Sequence, residues 1–184
     1  PITEPTRKPG KVELRQVKDT EKGAWLELEL KRDGTVPAVV GEYTALRLKE
    51  PALITGKPHS VGMWVKGDSS WGRVFWEITD AKGERWRSSG GFDGGDWASH
   101  SSIDFDGWCF MTFPLTNDSP FKHVEPAPGI GQWQHSDGDG KLDYPLKLTG
   151  LYIETHRQSL NLTKMAPVKG HIRLKDVSVI GDAK

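Results

Sequence analysis

The sequence predicts an all-β chain folded as an antiparallel two-sheet sandwich. Apolar residues recur at every second position in short segments, and no long stretch keeps them at helical spacing. Clusters of Gly, Pro, Asn and Asp separate the segments. Alternation of this kind marks strands with one buried and one open face, and about nine such strands need a second apolar layer to cover the first.

Residues 1–10 hold three prolines among mixed charges and read as an arm or linker, which leaves 11–182 as a single domain. At 184 residues and 35% hydrophobic content the chain is sized for one core. The first strand is expected over 11–17. In 23–30, Ala24, Leu26, Leu28 and Leu30 point one way while Trp25, Glu27 and Glu29 point the other. A strand over 43–48 follows. In 59–66, Val61, Met63 and Val65 form one row, and Gly67-Asp68-Ser69-Ser70 turns the chain into 73–80, where Val74, Trp76 and Ile78 form the next. Lys82-Gly83 then leads into 84–88. Segments 108–113, 148–156 and 171–180 complete the set. In the last of these Ile172 and Leu174 share a face that Val177 and Val179 do not, a change of phase that a β-bulge near Lys175-Asp176 produces. Trp64, Trp76 and Trp108 read as packing residues. Cys109, the single cysteine, reads as a small buried hydrophobe with no disulfide partner.

Two segments break the pattern. Residues 90–102 are rich in Gly, Ser and Asp, and 116–147 carry Pro, Gly and acidic clusters; both exceed the usual length of a plain connection. Phe92, Trp97, Phe121, Trp133 and Tyr144 are costly to leave in water, so these loops are expected to pack on the sandwich or close over a ligand.

Lys plus Arg equals Asp plus Glu at 25 each, so no overall field draws the chain to nucleic acid or to an anionic membrane. Apolar runs fall far short of the ~20 residues that span a bilayer, which excludes helical membrane insertion. The chain starts at Pro1 and not Met, and reads as a processed or excised piece whose parent can be an exported protein.

Gly62-Met63-Trp64-Val65-Lys66-Gly67-Asp68, Trp71-Gly72, Asp80-Ala81-Lys82-Gly83-Glu84 and Ile103-Asp104-Phe105-Asp106-Gly107-Trp108, followed by Phe113-Pro114-Leu115, occur in an order that resembles a known family. They are similar to the galactose-binding-domain-like jelly rolls appended to bacterial polysaccharide-degrading enzymes, including many carbohydrate-binding modules. The closing stretch from Gly170 to Val179 is similar to the final strand of those modules. The resemblance covers roughly a third of the chain, mostly turns and core strands. It implies a jelly-roll topology and a sugar ligand. It also implies a structural calcium ion held by an acidic residue of the last strand, here Asp176, with Glu13 of the first strand as its partner. Hard cations take six to eight oxygen ligands, many of them carbonyls freed at bulges and turns. The run Asp137-Gly138-Asp139-Gly140-Lys141-Leu142-Asp143 imitates a calcium loop but puts His135 and Leu146 where the acidic ligands belong, so it reads as a turn.

A sugar presents apolar C–H faces and hydroxyl rims, so its site calls for an aromatic platform beside hydrogen-bonding side chains. Trp97 in the first loop and Trp133 in the second offer this, each alternatively a plug on the end of the sandwich. The strand at 148–156 presents Tyr152, Glu154 and His156 on one face, with Leu151 and Ile153 on the other, and Arg87 can join that row. A solvated polar face is the plain alternative. Motifs for a nucleophile elbow, a metallohydrolase, a phosphate loop or paired thiolates are missing. The pair Asp104 and Asp106, and the neighbours Tyr152, His156 and Arg157, keep a small glycosidase or lyase as an alternative.

The expectation is therefore a non-catalytic carbohydrate-binding module. It would anchor an exported polysaccharide-acting enzyme to its glycan outside the cytoplasm, whether secreted, periplasmic or on the cell surface. The partners would be a polysaccharide or oligosaccharide and a covalently linked catalytic domain. A spacer that packs on that domain and binds no sugar is the alternative from another class.

Overall fold

Period-two alternation becomes twelve strands among the residues that the computed structural model describes, which are 7–21, 23–31, 41–69, 71–89, 102–115, 132–135, 141–156 and 169–181. They are β1 (Arg7–Pro9), β2 (Lys11–Asp19), β3 (Gly23–Lys31), β4 (Gly41–Ile54), β5 (Ser60–Asp68) and β6 (Trp71–Thr79). Then come β7 (Arg85–Ser89), β8 (Ser102–Ile103), β9 (Asp106–Pro114), β10 (Gln132–His135), β11 (Leu146–His156) and β12 (Lys169–Ile180). A seven-stranded sheet runs β1-β4-β11-β6-β7-β10 with β8 also on β6, and a five-stranded sheet runs β2-β3-β12-β5-β9. Every pair is antiparallel except β1 with β4. The fold class is the expected one, an all-β antiparallel sandwich with jelly-roll character.

The core lies between the sheets. Val74, Trp76, Ile78, Trp86, Leu146 and Ile153 of the larger sheet meet Leu28, Val61, Met63, Val65, Phe113, Ile172 and Leu174 of the smaller. Fully burying an aliphatic or aromatic side chain stabilises by about 1.5–3 kcal/mol, so these rows decide which way each strand faces. Asp80, buried at the end of β6, ties the turn to them. Its Oδ1 accepts from the backbone N–H groups of Lys82 and Glu84 at 3.0 and 2.9 Å. Its Oδ2 accepts from Trp86 Nε1 at 3.3 Å and from the Asp143 N–H at 3.4 Å. Gly83, at φ +87, supplies the left-handed residue that this turn requires.

Several expectations change. Residues 7–9, expected within an arm, form β1 beside β4, where Pro9 stands at the sheet edge and costs no interior ladder bond. The segment 116–147 contains β10, a strand of four residues too short to show alternation and held by pairing with β7. Trp64 and Trp108 are not core residues: they are 39% and 37% exposed, because they occupy the phase opposite Met63, Val65 and Met111, whereas Trp76 is buried as expected. Cys109 is half-buried and unbridged, on the edge strand β9. The bulge in β12 is present: its register against β5 slips between Lys175 and Ser178, and Asp176 takes a φ of +54. Tyr144 packs against the core and donates from its hydroxyl to the Leu115 carbonyl at 3.1 Å.

Candidate functional site

The outward face of the seven-stranded sheet is assembled by cross-strand register. Tyr152 of β11 stands between Ala45 of β4 and Phe75 of β6, and Glu154 stands between Tyr43 and Arg73. One row further, Gly150 lies between Arg47 and Glu77, and Glu77 pairs on its other side with Arg87 of β7. The next row carries Lys147, Thr79 and Arg85. Thr149 is the bulged residue that keeps Leu148 and Leu151 both on the core side.

These side chains form one network. The Tyr152 hydroxyl donates to Glu77 Oε2 at 3.0 Å and accepts from Arg87 Nη2 at 3.2 Å and from Arg47 Nη2. Arg47 Nη1 also bonds Glu77 Oε1, which accepts from Thr149 Oγ1 at 3.0 Å. The two guanidinium carbons lie 4.2 Å (Arg87) and 4.9 Å (Arg47) from the centre of the Tyr152 ring, within cation–π range. Tyr43 leans against the same ring, centroids 5.9 Å apart at 47°. Burial is the largest single influence on Arg47 and works against its charge, but Glu77 and Tyr152 together outweigh it and hold its guanidinium above its ordinary pKa. Gly150 makes the span possible: a Cβ there would stand 2.4 Å from the Leu46 carbonyl oxygen and 3.2 Å from Arg47 Nη1.

Of the residues expected to contact sugar, the structure brings Arg87 and Tyr152 together. Glu154 shares their face but is buried beside the buried Arg73, its Oε2 4.0 Å from Arg73 Nε, so it braces the sheet and is not open to a ligand. His156 pairs with Trp71 at the end of β11, and Trp133 pairs with Ser88 while Gln134 stands opposite Arg87; in both cases only the backbone position is described. Trp97 and Arg157 lie outside the described residues. Asp104 sits between β8 and β9, and Asp106 opens β9 opposite Asp68, so the two are not neighbours on one strand. Sequence reasoning passed over Tyr43, Arg47 and Glu77. Their polar phase within alternating strands was the available signal.

The proposed calcium pair does not assemble. Glu13 stands opposite Glu29, which stands opposite His171, five residues before Asp176 on β12. At the strand rise this is on the order of 15 Å along the sheet, with one further strand between. Glu13 is engaged by Lys31 and lies 3.9 Å from Arg15. Among the described residues no three His, Cys, Asp or Glu side chains are grouped to hold a metal.

Elsewhere, an apolar cavity of about 560 Å³ opens between the sheets, lined by Leu14, Leu26, Leu46, Leu48, Leu148 and Val177 among others. Its few polar groups make a poor match to a sugar's ring of hydroxyls. The outward face of the five-stranded sheet carries Trp64 edge-on to Phe110 at 5.4 Å, and Trp25 edge-on to Trp108 at 6.4 Å. Lys175 Nζ lies 4.9 Å from the Trp108 ring.

No protein-family model and no curated protein matches the chain. Among solved structures it is similar to the family 11 carbohydrate-binding module of the cellulosomal cellulase Lic26A-Cel5E of Clostridium thermocellum, at 15% identity and a TM-score of 0.51, over 94% of this chain and 83% of that one. A solution structure of CtCBM11 matches at 16% identity and a TM-score of 0.47, over 95% and 85%. An exo-β-agarase matches at 8% identity and a TM-score of 0.49, over 95% of this chain and 23% of the enzyme. The first likeness is one of fold: a jelly-roll sandwich of the kind that the carbohydrate-binding module has.

Proposed function

We propose that the chain is a non-catalytic carbohydrate-binding module and that the face around Tyr152 receives the glycan. One observation carries this reading: an open sheet face where the half-buried Tyr152, with the half-buried Tyr43 against it, lies between the exposed Arg47 and Arg87, and a buried carboxylate holds Arg47 and the Tyr152 hydroxyl that Arg87 meets. Aromatic surface beside oriented N–H donors is what a sugar's C–H face and oxygen rim call for. The fold likeness to a carbohydrate-binding module supports the reading. Trp97, Trp133 and His156 complete the proposed contact set, with Arg87 and Tyr152 as its floor. The module would hold an exported polysaccharide-acting enzyme, joined to it in one chain, on its substrate outside the cytoplasm, raising the local concentration of cleavable bonds.

Affinity gels containing a panel of neutral and acidic polysaccharides test this. The intact chain should be retarded by at least one polymer, and Tyr43→Ala with Tyr152→Ala should abolish the retardation while Trp64→Ala leaves it. Full retention of binding in the double variant would remove the site from this face.

A second reading rests on the exposed Trp64 and Trp108. As a spacer, the chain would cover that apolar face with a covalently linked neighbour and bind no sugar. Absence of retardation by every polymer, with Trp64 fluorescence quenched on adding the catalytic domain in trans, would favour it.

A further inference from the structure

We propose that the glycan taken by the Tyr152 face is acidic, a polymer bearing uronate carboxylates or sulfate esters, and that Arg87 meets its acid group. This rests on the reading that the face binds a saccharide.

The argument is one of hydrogen-bonding capacity. A tyrosine hydroxyl has one proton and two lone pairs. At Tyr152 the proton goes to Glu77 Oε2, and both lone pairs are taken by Arg47 Nη2 and Arg87 Nη2. This hydroxyl is saturated. Glu77 is buried, with Oε1 accepting from Arg47 and Thr149 and Oε2 accepting from Tyr152. Glu154, the other carboxylate at the paired positions of this face, is buried beside Arg73. The acceptors are engaged and sunk below the surface.

The groups still turned to solvent are donors. A guanidinium has five N–H groups in a planar fork. The bond to Tyr152 uses one Nη2 proton of the exposed Arg87. Arg85 and Lys147, also exposed, stand in the adjoining row and extend the positive strip along the sheet. Tyr43 supplies a hydroxyl able both to give and to take. A neutral sugar brings hydroxyl protons that need acceptors, and among the described residues around Arg87 the accessible ones are few, the hydroxyls of Tyr43 and Thr79. A carboxylate or sulfate brings acceptors alone, and the fork of Arg87, its central carbon 4.2 Å from the centre of the Tyr152 ring, can meet two of its oxygens at once.

The experiment uses the whole chain on polygalacturonate, dextran sulfate and a neutral mixed-linkage β-glucan, by affinity gel and by titration calorimetry at low and high salt. Binding to polygalacturonate or to dextran sulfate is expected, and which of the two is retained identifies carboxylate or sulfate as the group read. Arg87→Gln should weaken that binding at least about tenfold, near 1.4 kcal/mol. Arg87→Lys should restore only part of it, because a point charge lacks the fork. Added salt should weaken it as well. Lys66→Gln, on the opposite face of the sandwich, should change nothing, and thermal melts will show that each variant is folded. Binding to the neutral glucan alone, indifferent to Arg87→Gln, would overturn this inference and leave sugar binding standing. Acid binding that falls equally with Lys66→Gln would show unspecific charge attraction and overturn it too. Retention by none of the three, with retention by another neutral polymer, would overturn only the acidic specificity; retention by no polymer at all would overturn both readings.

Discussion

On the outer face of the larger sheet the aromatic ring is the inner member and the cations are the open ones; on the smaller sheet the indoles stand out and the charges are paired among themselves. Around Tyr152, one buried carboxylate gathers a hydroxyl, a threonine and a guanidinium, and leaves arginine N–H groups pointing to water. On the sheet that carries Trp64, by contrast, Glu27 is met by Arg173, Glu29 by Arg15 and Glu13 by Lys31, so around the indoles aromatic surface dominates what a visitor would touch. Two sheets with the same alternation thus offer different chemistry. Which cross-strand partner a charge finds decides whether polarity faces outward or is consumed within the sheet.

Glu77→Ala is expected to break this contrast most severely. Removing the buried carboxylate strips Arg47, Thr149 and Tyr152 of their common acceptor, and the loss of these charge-assisted hydrogen bonds should be about 3 kcal/mol, read as a shift in urea midpoint at unchanged slope. The same truncation at Trp108, already 37% exposed, should cost about 1 kcal/mol. If Trp108→Ala proved the more damaging, the aromatic face and not the polar one would be holding the sandwich together.

Gly150→Ala should come next. The new methyl would meet a backbone oxygen, which cannot swing aside, so strain of about 1–3 kcal/mol is expected. It would also push Arg47 off Glu77. Glycan binding in the surviving folded fraction should therefore fall together with the melting temperature. Intact binding at a lowered melting temperature would show that Arg47 serves the fold and not the face.

Strands over 59–66 and 73–80 were legible because one side of each is sealed and the period of two survives in the residues, and 23–30 keeps the period although its row is sealed at Leu28 and open at Ala24 and Leu26. Trp64 shows where that reading slipped. Its phase already set it apart from Val61, Met63 and Val65, yet its size and apolarity argued for the core, and the backbone alternation overrode residue type. The network at Tyr152 was legible only in half. Tyr152 and Arg87 show as a polar aromatic and a cation on open faces, whereas Glu77 and Arg47 acquire meaning through register, thirty residues apart in the chain. Glu13 and Asp176 are kept apart for the same reason: position along a strand does not say which rung of the ladder a residue faces, and here the two lie five residues out of step with one strand between them.

The smallest expected effect, on the tryptophan face, separates charge from packing. Arg173 Nε donates to Glu27 at 2.6 Å across β3 and β12, and that hydrogen bond holds the Glu27 carboxyl below its ordinary 4.5, against the opposing influence of burial. A carboxyl whose pKa is lowered by folding adds stability that is complete above the unfolded value and is lost as pH falls through the folded one. Arg173→Gln should therefore cost about 0.5–1 kcal/mol at neutral pH, and the gap between wild type and variant should close as the medium is acidified below the ordinary glutamate range. The Arg173 guanidinium also lies 5.9 Å from the Trp25 ring. A gap that stays constant down to low pH would assign its contribution to that contact, and the charges on this face would then be bystanders to its indoles.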